Sequence, residues 1–517
     1  MADSVREEVA LQTSRDVSGG VNNFLFSGNI GENQSVAQKN MNIEKPGTRR
    51  KRDGYISIAN DTGDADKMRI FNFNPDAIAE RLIGYTADQL YEWTGTGSWV
   101  SIGTALGTDG KMDAFQADNE IYFLLDGSNV QSWDGSTLTD EGATASDPPQ
   151  GSTGLYKFGR AFISGVSANP NLVYYSNQST GAGLGAGAWL TTQNVAIKGI
   201  GSGDRIVAIV PFRRADILVF TEKSIWNIDI TDSTPSNWVV TEVHPKLGCG
   251  ARDTVRVVGN DVIFMDQNGN FRTLLRTVED LNAGVDAIPL SQGIQGHIDT
   301  FSAPNLANAS ATSFGRLYFV AVTLSASEND ALFIYDTVTK AWTGPWTGWL
   351  ATNYAVSTVE GGKEKLYFGN AGSTSEAFYY AIDTFTDDGT AIEMVETSKK
   401  YDFGDNRIDK MFQSIEIIAE STGNSDIKVE CQIDDQGFIT VGTMNLTGGG
   451  VTLPVDYPFT LGATGFTTKI FPLDALLGAG RFIQWRLTHD DSGEECRIIS
   501  VQVSAYIENI NYGGPAQ

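Results

Sequence analysis

The sequence predicts an all-β protein: a β-propeller of about six to seven blades followed by a C-terminal antiparallel β-sandwich. Three observations lead there. Helical spacing is rare, and short apolar or alternating runs break at Gly, Asn and Asp every few residues. A longer period sits above these hairpins. Near residue 395 the pattern changes to longer strands with cleaner alternation.

From the N-terminus, residues 1–20 are polar and charged and read as a flexible or partner-binding arm. Residues 21–394 form the expected propeller with inserted loops. Its hairpins include 82–85 with 89–93, 121–125 with 130–133, and 331–335 with 341–342. The turns carry Asp126-Gly127, Asp134-Gly135, Asn268-Gly269 and Gly361-Gly362, residues that tolerate positive φ. Strands reading apolar-x-apolar begin near Leu82, Ile121, Ala161, Ile217, Val262, Leu317 and Leu366. Their spacing of roughly 40–55 residues is that of propeller blades, which leave only short sheet edges. Two or three unrelated sandwiches are the alternative. In residues 395–517, Ile415, Ile417 and Ala419 alternate with Glu416, Ile418 and Glu420, as expected of a strand with one buried face. The Gly-rich stretches 181–187 and 447–451 read as loops.

The chain of 517 residues carries a formal charge of −26, which opposes a surface that grips nucleic acid or anionic membrane throughout. Cys249, Cys431 and Cys496 show no Cys-x-x-Cys spacing, so neither a disulfide framework nor a zinc knuckle is indicated. No signal-peptide core opens the sequence, and no window resembles a membrane span.

Catalytic signals are weak. His244, His297 and His489 stand alone, and no Gly-x-Ser-x-Gly elbow accompanies them. Residues 181–187 lack the Gly-Lys-Ser/Thr of a phosphate loop. Asp266-Gln-Asn-Gly-Asn270 and Asp490-Asp-Ser-Gly-Glu-Glu495 offer oxygen ligands but no complete calcium spacing, so hairpin turns are expected. No enzyme, cofactor or metal site is predicted. The sharpest local anomaly is basic: Lys45, Arg49, Arg50, Lys51 and Arg52 lie within eight positions of an acidic chain. Such a cluster suits DNA phosphate or an acidic neighbouring subunit; a solvated turn balanced by nearby acids is the competing reading.

The segment Asn40-Met-Asn-Ile-Glu-Lys-Pro-Gly-Thr-Arg-Arg-Lys-Arg-Asp-Gly-Tyr55 resembles the "Asn-Met … Gly-x-x-Lys-Arg-Pro-Gly" stretch of short-tailed bacteriophage tail nozzle (tail tubular B) proteins and the related packaged-DNA stabilisation proteins, with Asp53 in place of the usual Pro. Further matches follow in order at Asp204-Arg-Ile-Val-Ala-Ile-Val-Pro-Phe212, Leu218-Val-Phe-Thr-Glu-Lys-Ser-Ile-Trp226, Gly248-Cys-Gly-Ala-Arg-Asp253, Gly259-Asn-Asp-Val-Ile-Phe264, and residues 286–292 and 335–346.

The resemblance implies a virion protein assembled in the host cytoplasm, a cyclic homo-oligomer and by family a hexamer. It would join a tail adaptor, and needle or fibre proteins, around double-stranded DNA. A head-closure stopper belongs to the same class. From another class, a secreted or surface propeller that binds or cleaves glycans would carry aromatics on its axis, with Trp342, Trp346 and Trp349 the first to examine.

Overall fold

The computed structural model describes residues 8–43, 48–59, 62–76, 78–104, 107, 111–181, 183–197, 204–447 and 465–507. The chain divides into two compact units. One comprises residues 56–332 and 348–380, the other residues 1–55, 333–347 and 381–517.

The first unit is the propeller. Among the described residues, seven sheets begin in succession, at Met68, Asp113, Thr153, Ile206, Arg256, Ser310 and Ala351. In the first sheet the strands run Met68–Phe73, Arg81–Thr86, Gln89–Trp93 and Val100–Thr104, each paired with the next. The same up-and-down order recurs from Asp113–Ala117 to Leu138–Asp140, from Thr153–Lys157 to Asn194–Ala196 and from Ile206–Phe212 to Val239–His244. The fifth sheet has three strands, Arg256–Val258, Asp261–Met265 and Phe271–Thr273.

The second strand of each sheet explains the sequence periodicity. Arg81–Thr86, Glu120–Leu124, Arg160–Ser164, Asp216–Thr221, Asp261–Met265 and Lys365–Asn370 each open on one partly exposed residue and are buried thereafter; Leu317–Val322 is buried throughout. Both faces pack against neighbouring sheets, so these strands read as continuous apolar runs. The core accordingly lies between blades: Phe73 and Ile83 meet Ile121 and Trp133, Leu155 and Phe162 meet Ile217 and Val219, and Phe212 and Phe220 meet Val262 and Phe264.

The ring closes without a covalent link. The first strand of the last sheet, Ala351–Ser357, lies beside Met68–Phe73. Asn353 acts there as a strand partner, its Oδ1 accepting from Ile70 N–H at 2.8 Å and its Nδ2 donating to Ile70 O at 2.6 Å. Thr352 Oγ1 donates to Met68 O. Gly369 permits this approach, since a Cβ there would stand 2.1 Å from Met68 O.

The second unit is a two-sheet sandwich. One sheet runs Met41–Asn42, Arg49–Lys51, Arg497–Ile507, Lys410–Glu420, Phe466–Pro472, with Glu8–Ser14 also paired to Arg497–Ile507. The other runs Ser35–Lys39, Met394–Ser398, Ile483–His489, Asp426–Ile433, Ile439–Asn445. Ile415, Ile417 and Ala419 face a core with Val429, Trp485 and Val503, as their alternation predicts.

The compact units are not drawn where the linear reading placed its boundaries. Within the expected arm, Glu8–Ser14 is a strand in register with the far end of the chain, Glu8 opposite Ile507. Residues 21–55, 333–347 and 381–394, expected in the propeller, group with the sandwich. A strand whose partner lies hundreds of residues away leaves no local periodic signal.

Candidate functional site

The basic run 49–52 is an internal ionic core of the sandwich. Lys45 lies outside the described residues. Arg49, Lys51 and Arg52 are fully buried and Arg50 nearly so. The Arg49 Nε donates to Glu396 Oε2 at 2.6 Å and its Nη2 to Ser14 Oγ at 2.6 Å. Arg50 joins Asp53, Asp383 and Glu495 at 2.9–3.0 Å. Arg52 forks onto Asp387 at 2.7 and 2.5 Å, donates to Asn40 Oδ1 and Thr347 O, and lies over the Trp346 ring. The planar guanidinium suits such bidentate pairing. Arg49, Arg50 and Arg52 are thereby matched by carboxylates within the unit, and none is presented to DNA phosphate. This corrects, for 49–52, the expectation of a basic patch facing DNA or an acidic neighbouring subunit; the acids do balance the cations, but in the interior rather than in a solvated turn.

Lys51 differs from its neighbours. Its Nζ donates to Asp491 O at 2.7 Å and lies 3.5 Å from His489 Nδ1. Burial, only partly offset by Cys496 and Asp491, brings the ammonium down to about 8. Burial and then the Lys51 charge bring His489 down to about 4. The pair therefore sits at neutral pH with the lysine charged and the imidazole neutral.

A second ionic cluster lies across the propeller axis. The turn Arg252–Thr254 precedes the first strand of the fifth sheet and bonds to two other sheets and to the segments that lead into two more. Asp253 Oδ2 takes a hydrogen bond from Arg69 Nη2 at 2.6 Å, in the first sheet. Arg252 Nη1 donates to Lys111 O at 3.0 Å and Ser152 O at 2.5 Å, just ahead of the second and third. Thr254 O accepts from Tyr318 Oη at 2.8 Å, in the sixth. Only a segment crossing the centre of the ring can meet blades one, two, three and six together. Burial raises the Asp253 carboxyl, but Arg252 and Arg69 outweigh it and hold it well below the usual carboxylate range. Lys111 stands beside this pair and is brought down to about 8 by burial, Asp253 and Glu328 opposing the shift while Arg69 and Arg252 add to it. Chemically, the cluster is a fixed positive field with no nucleophile paired to a base.

Sequence reasoning did not single out Arg69 or Lys111. Arg252 and Asp253 appeared only as the end of Gly248-Cys-Gly-Ala-Arg-Asp253, whose glycines now have a reason: a Cβ at Gly248 or Gly250 would meet backbone at 2.3 and 2.6 Å.

The remaining candidates are architectural. His244 Nδ1 accepts from Lys246 N–H in the fourth sheet, His297 is in the short helix Gln295–Ile298, and His489 belongs to the sandwich. Asp266 is engaged by Asn268 N–H, Asn270 N–H and Arg272 Nε, as a hairpin turn requires. Asp491 Oδ2 accepts from Asp426 N–H, and Glu495 joins Arg50 and Arg497. In the 181–187 stretch, Leu184 is buried and Glu141 accepts from Ala186 N–H, which ties this loop down. Trp342, Trp346 and Trp349 are buried rather than displayed in a pocket, Trp349 stacking on Phe368 at 4.6 Å. Among the described residues no His, Cys, Asp and Glu group is placed to hold a metal ion, and no helix is long and apolar enough to cross a membrane.

No protein-family model and no curated protein matches the chain. Among solved structures it is similar to the extracellular domain of BT4673 from B. thetaiotaomicron, with 11% identity and a TM-score of 0.44 over 88% of this chain and 62% of that one. It is also similar to YCF48 bound to D1 peptide, with 8% identity and a TM-score of 0.38 over 63% and 95% of the two chains. The computationally designed Ika8 protein matches with 10% identity and a TM-score of 0.36, over 63% and 100%. The propeller assignment rests on the sheet order and ring closure described above.

Proposed function

We propose that the chain is a structural virion subunit, the tail nozzle or hub of a short-tailed bacteriophage, which assembles into a cyclic homo-oligomer around exiting DNA. One observation carries the self-association at the centre of this reading. The outer face of the sandwich sheet displays Val9, Leu11, Met411, Ile470 and Phe466, each 51–66% exposed. They are laid out by register: Val9 and Met411 both stand opposite Tyr506, and Ile470 and Phe466 stand opposite Glu416 and Glu420. Apolar side chains grouped on one exposed face mark an interaction surface, and a second copy of this chain is the occupant a homo-oligomer requires. The filled propeller axis supports the same arrangement, because a duplex must then pass between copies and not through a blade ring. The tail adaptor, the needle or fibre proteins and the transiting DNA are its proposed partners.

Mass photometry and negative-stain imaging of the purified chain test this. A six-fold ring is expected, and Leu11→Asp with Ile470→Asp should reduce it to smaller species that keep the native circular dichroism spectrum. A monodisperse monomer that binds glycans would overturn the proposal in favour of a surface propeller.

A further inference from the structure

The axial cluster holds more hydrogen-bond donors than it uses. The Arg69 side chain is nine-tenths buried and gives one Nη2 bond to Asp253, while its Nε is buried without a partner. The Lys111 side chain is partly exposed, and its ammonium makes no hydrogen bond or ion pair among the described residues, although Arg69, Arg252, Asp253 and Glu328 all act on it. The charges around this centre are Arg69, Lys111 and Arg252 against Asp253, Asp113 and Glu328, and Glu328 is already neutralised by Lys67, which leaves three cations to two carboxylates. Glu328 is held by Lys67 at 3.0 Å, and Asp113 accepts from Ala114 N–H and Gly154 N–H. An unpaired ammonium in such a setting is costly, and the uncompensated charge here is positive in a chain that is otherwise strongly acidic.

We propose that Lys111, beside the Arg69–Asp253–Arg252 cluster, binds a small oxyanion, a phosphate or carboxylate group free in solution. The Lys111 ammonium makes the direct contact. Arg252 and Arg69 supply the fixed field behind it, held in place by Asp253. Arg252 contributes rigidity as well, because it fixes the main chain at Lys111 through its bond to the carbonyl. The site is independent of the nozzle reading, since it lies within one chain's blade ring.

Lys111 titrates near 8, so the site takes up a proton when an anion binds at that pH, and affinity falls as pH rises from 7 to 9. Isothermal titration of the full chain with sodium phosphate, and separately with sodium acetate, at constant ionic strength is the test. Phosphate binding at pH 7.5 is expected, with a heat at pH 8 that changes with the ionisation enthalpy of the buffer. Acetate binding alone would assign the site to carboxylates. Lys111→Met should weaken binding at least tenfold, and Glu328→Gln, which removes a facing carboxylate, should tighten it. Identical thermograms for phosphate, acetate and chloride would overturn the proposal. So would Lys111→Met binding as the native chain does.

Discussion

His489 shows how a single buried group sets an acid limit on the sandwich. Its folded value near 4 lies below the ordinary histidine range, so the unfolded chain binds the extra proton first as pH falls. Stability from keeping the imidazole neutral is complete above about pH 6.5 and is lost as pH drops towards 4. The full span amounts to about 3 kcal/mol. Urea denaturation at pH 7 and pH 4.5 should show that loss, and His489→Gln should flatten it, because the amide accepts from Lys51 without titrating. Lys51 runs in the opposite pH range: its folded value near 8 means the buried charge is a burden below that pH and is relieved towards 10. The cysteines are inert for the same reason that the histidine is neutral. Cys249, Cys431 and Cys496 are buried, and burial pushes each thiol up to about 12. A thiol-reactive chromophore should label none in the native protein within minutes and all three in denaturant; rapid native labelling would contradict this burial.

Strands and turns are where local chemistry and long-range pairing part company. The clasp between the last and first blades depends on Asn353, whose side chain satisfies both polar groups of Ile70. Asn353→Leu leaves a buried N–H and C=O unpaired, at a cost of about 2–4 kcal/mol, and Gly369→Ala forces apart the same junction. Both should lower the thermal midpoint of the propeller, whereas Asn237→Leu, on an exposed turn, should not. The blades were legible in sequence because each second strand is covered on both faces and reads as an unbroken apolar run. Leu82, Ile121, Ala161, Ile217, Val262, Leu317 and Leu366 all fall in those strands. The turns were legible too: Gly127, Gly135, Gly269, Gly361 and Gly362 all adopt positive φ. The ionic core was visible only as an anomaly. Arg49 and Arg52 meet Glu396 and Asp387, more than three hundred residues on, and no spacing rule connects them. For the axial cluster even the anomaly was lacking, since Arg69 in a strand, Lys111 ahead of one and Asp253 in a turn carry no shared spacing until ring closure brings them together.

For the whole molecule, charge bears on the proposed self-association. The chain has 63 acids against 37 basic side chains, and in the sandwich the basic run is consumed internally. In the proposed ring, subunits would repel one another at long range, and the contact proposed to oppose that repulsion is the exposed apolar face of Leu11, Met411, Ile470 and Phe466. These two terms respond oppositely to salt. Screening shortens the repulsion to about 8–10 Å near physiological ionic strength, whereas apolar burial is little affected or strengthened. Ring formation should accordingly tighten as sodium chloride rises from 20 to about 300 mM, measured as the oligomer fraction in sedimentation velocity at a fixed low micromolar concentration. An assembly held by salt bridges between subunits would instead dissociate over that range. That outcome would remove the apolar face as the organising contact and return attention to surface charges as the source of cohesion. On the proposed function, an acidic wall around the passage between copies would repel phosphate within a Debye length rather than hold it, and a neutral or basic wall in the assembled ring would contradict this.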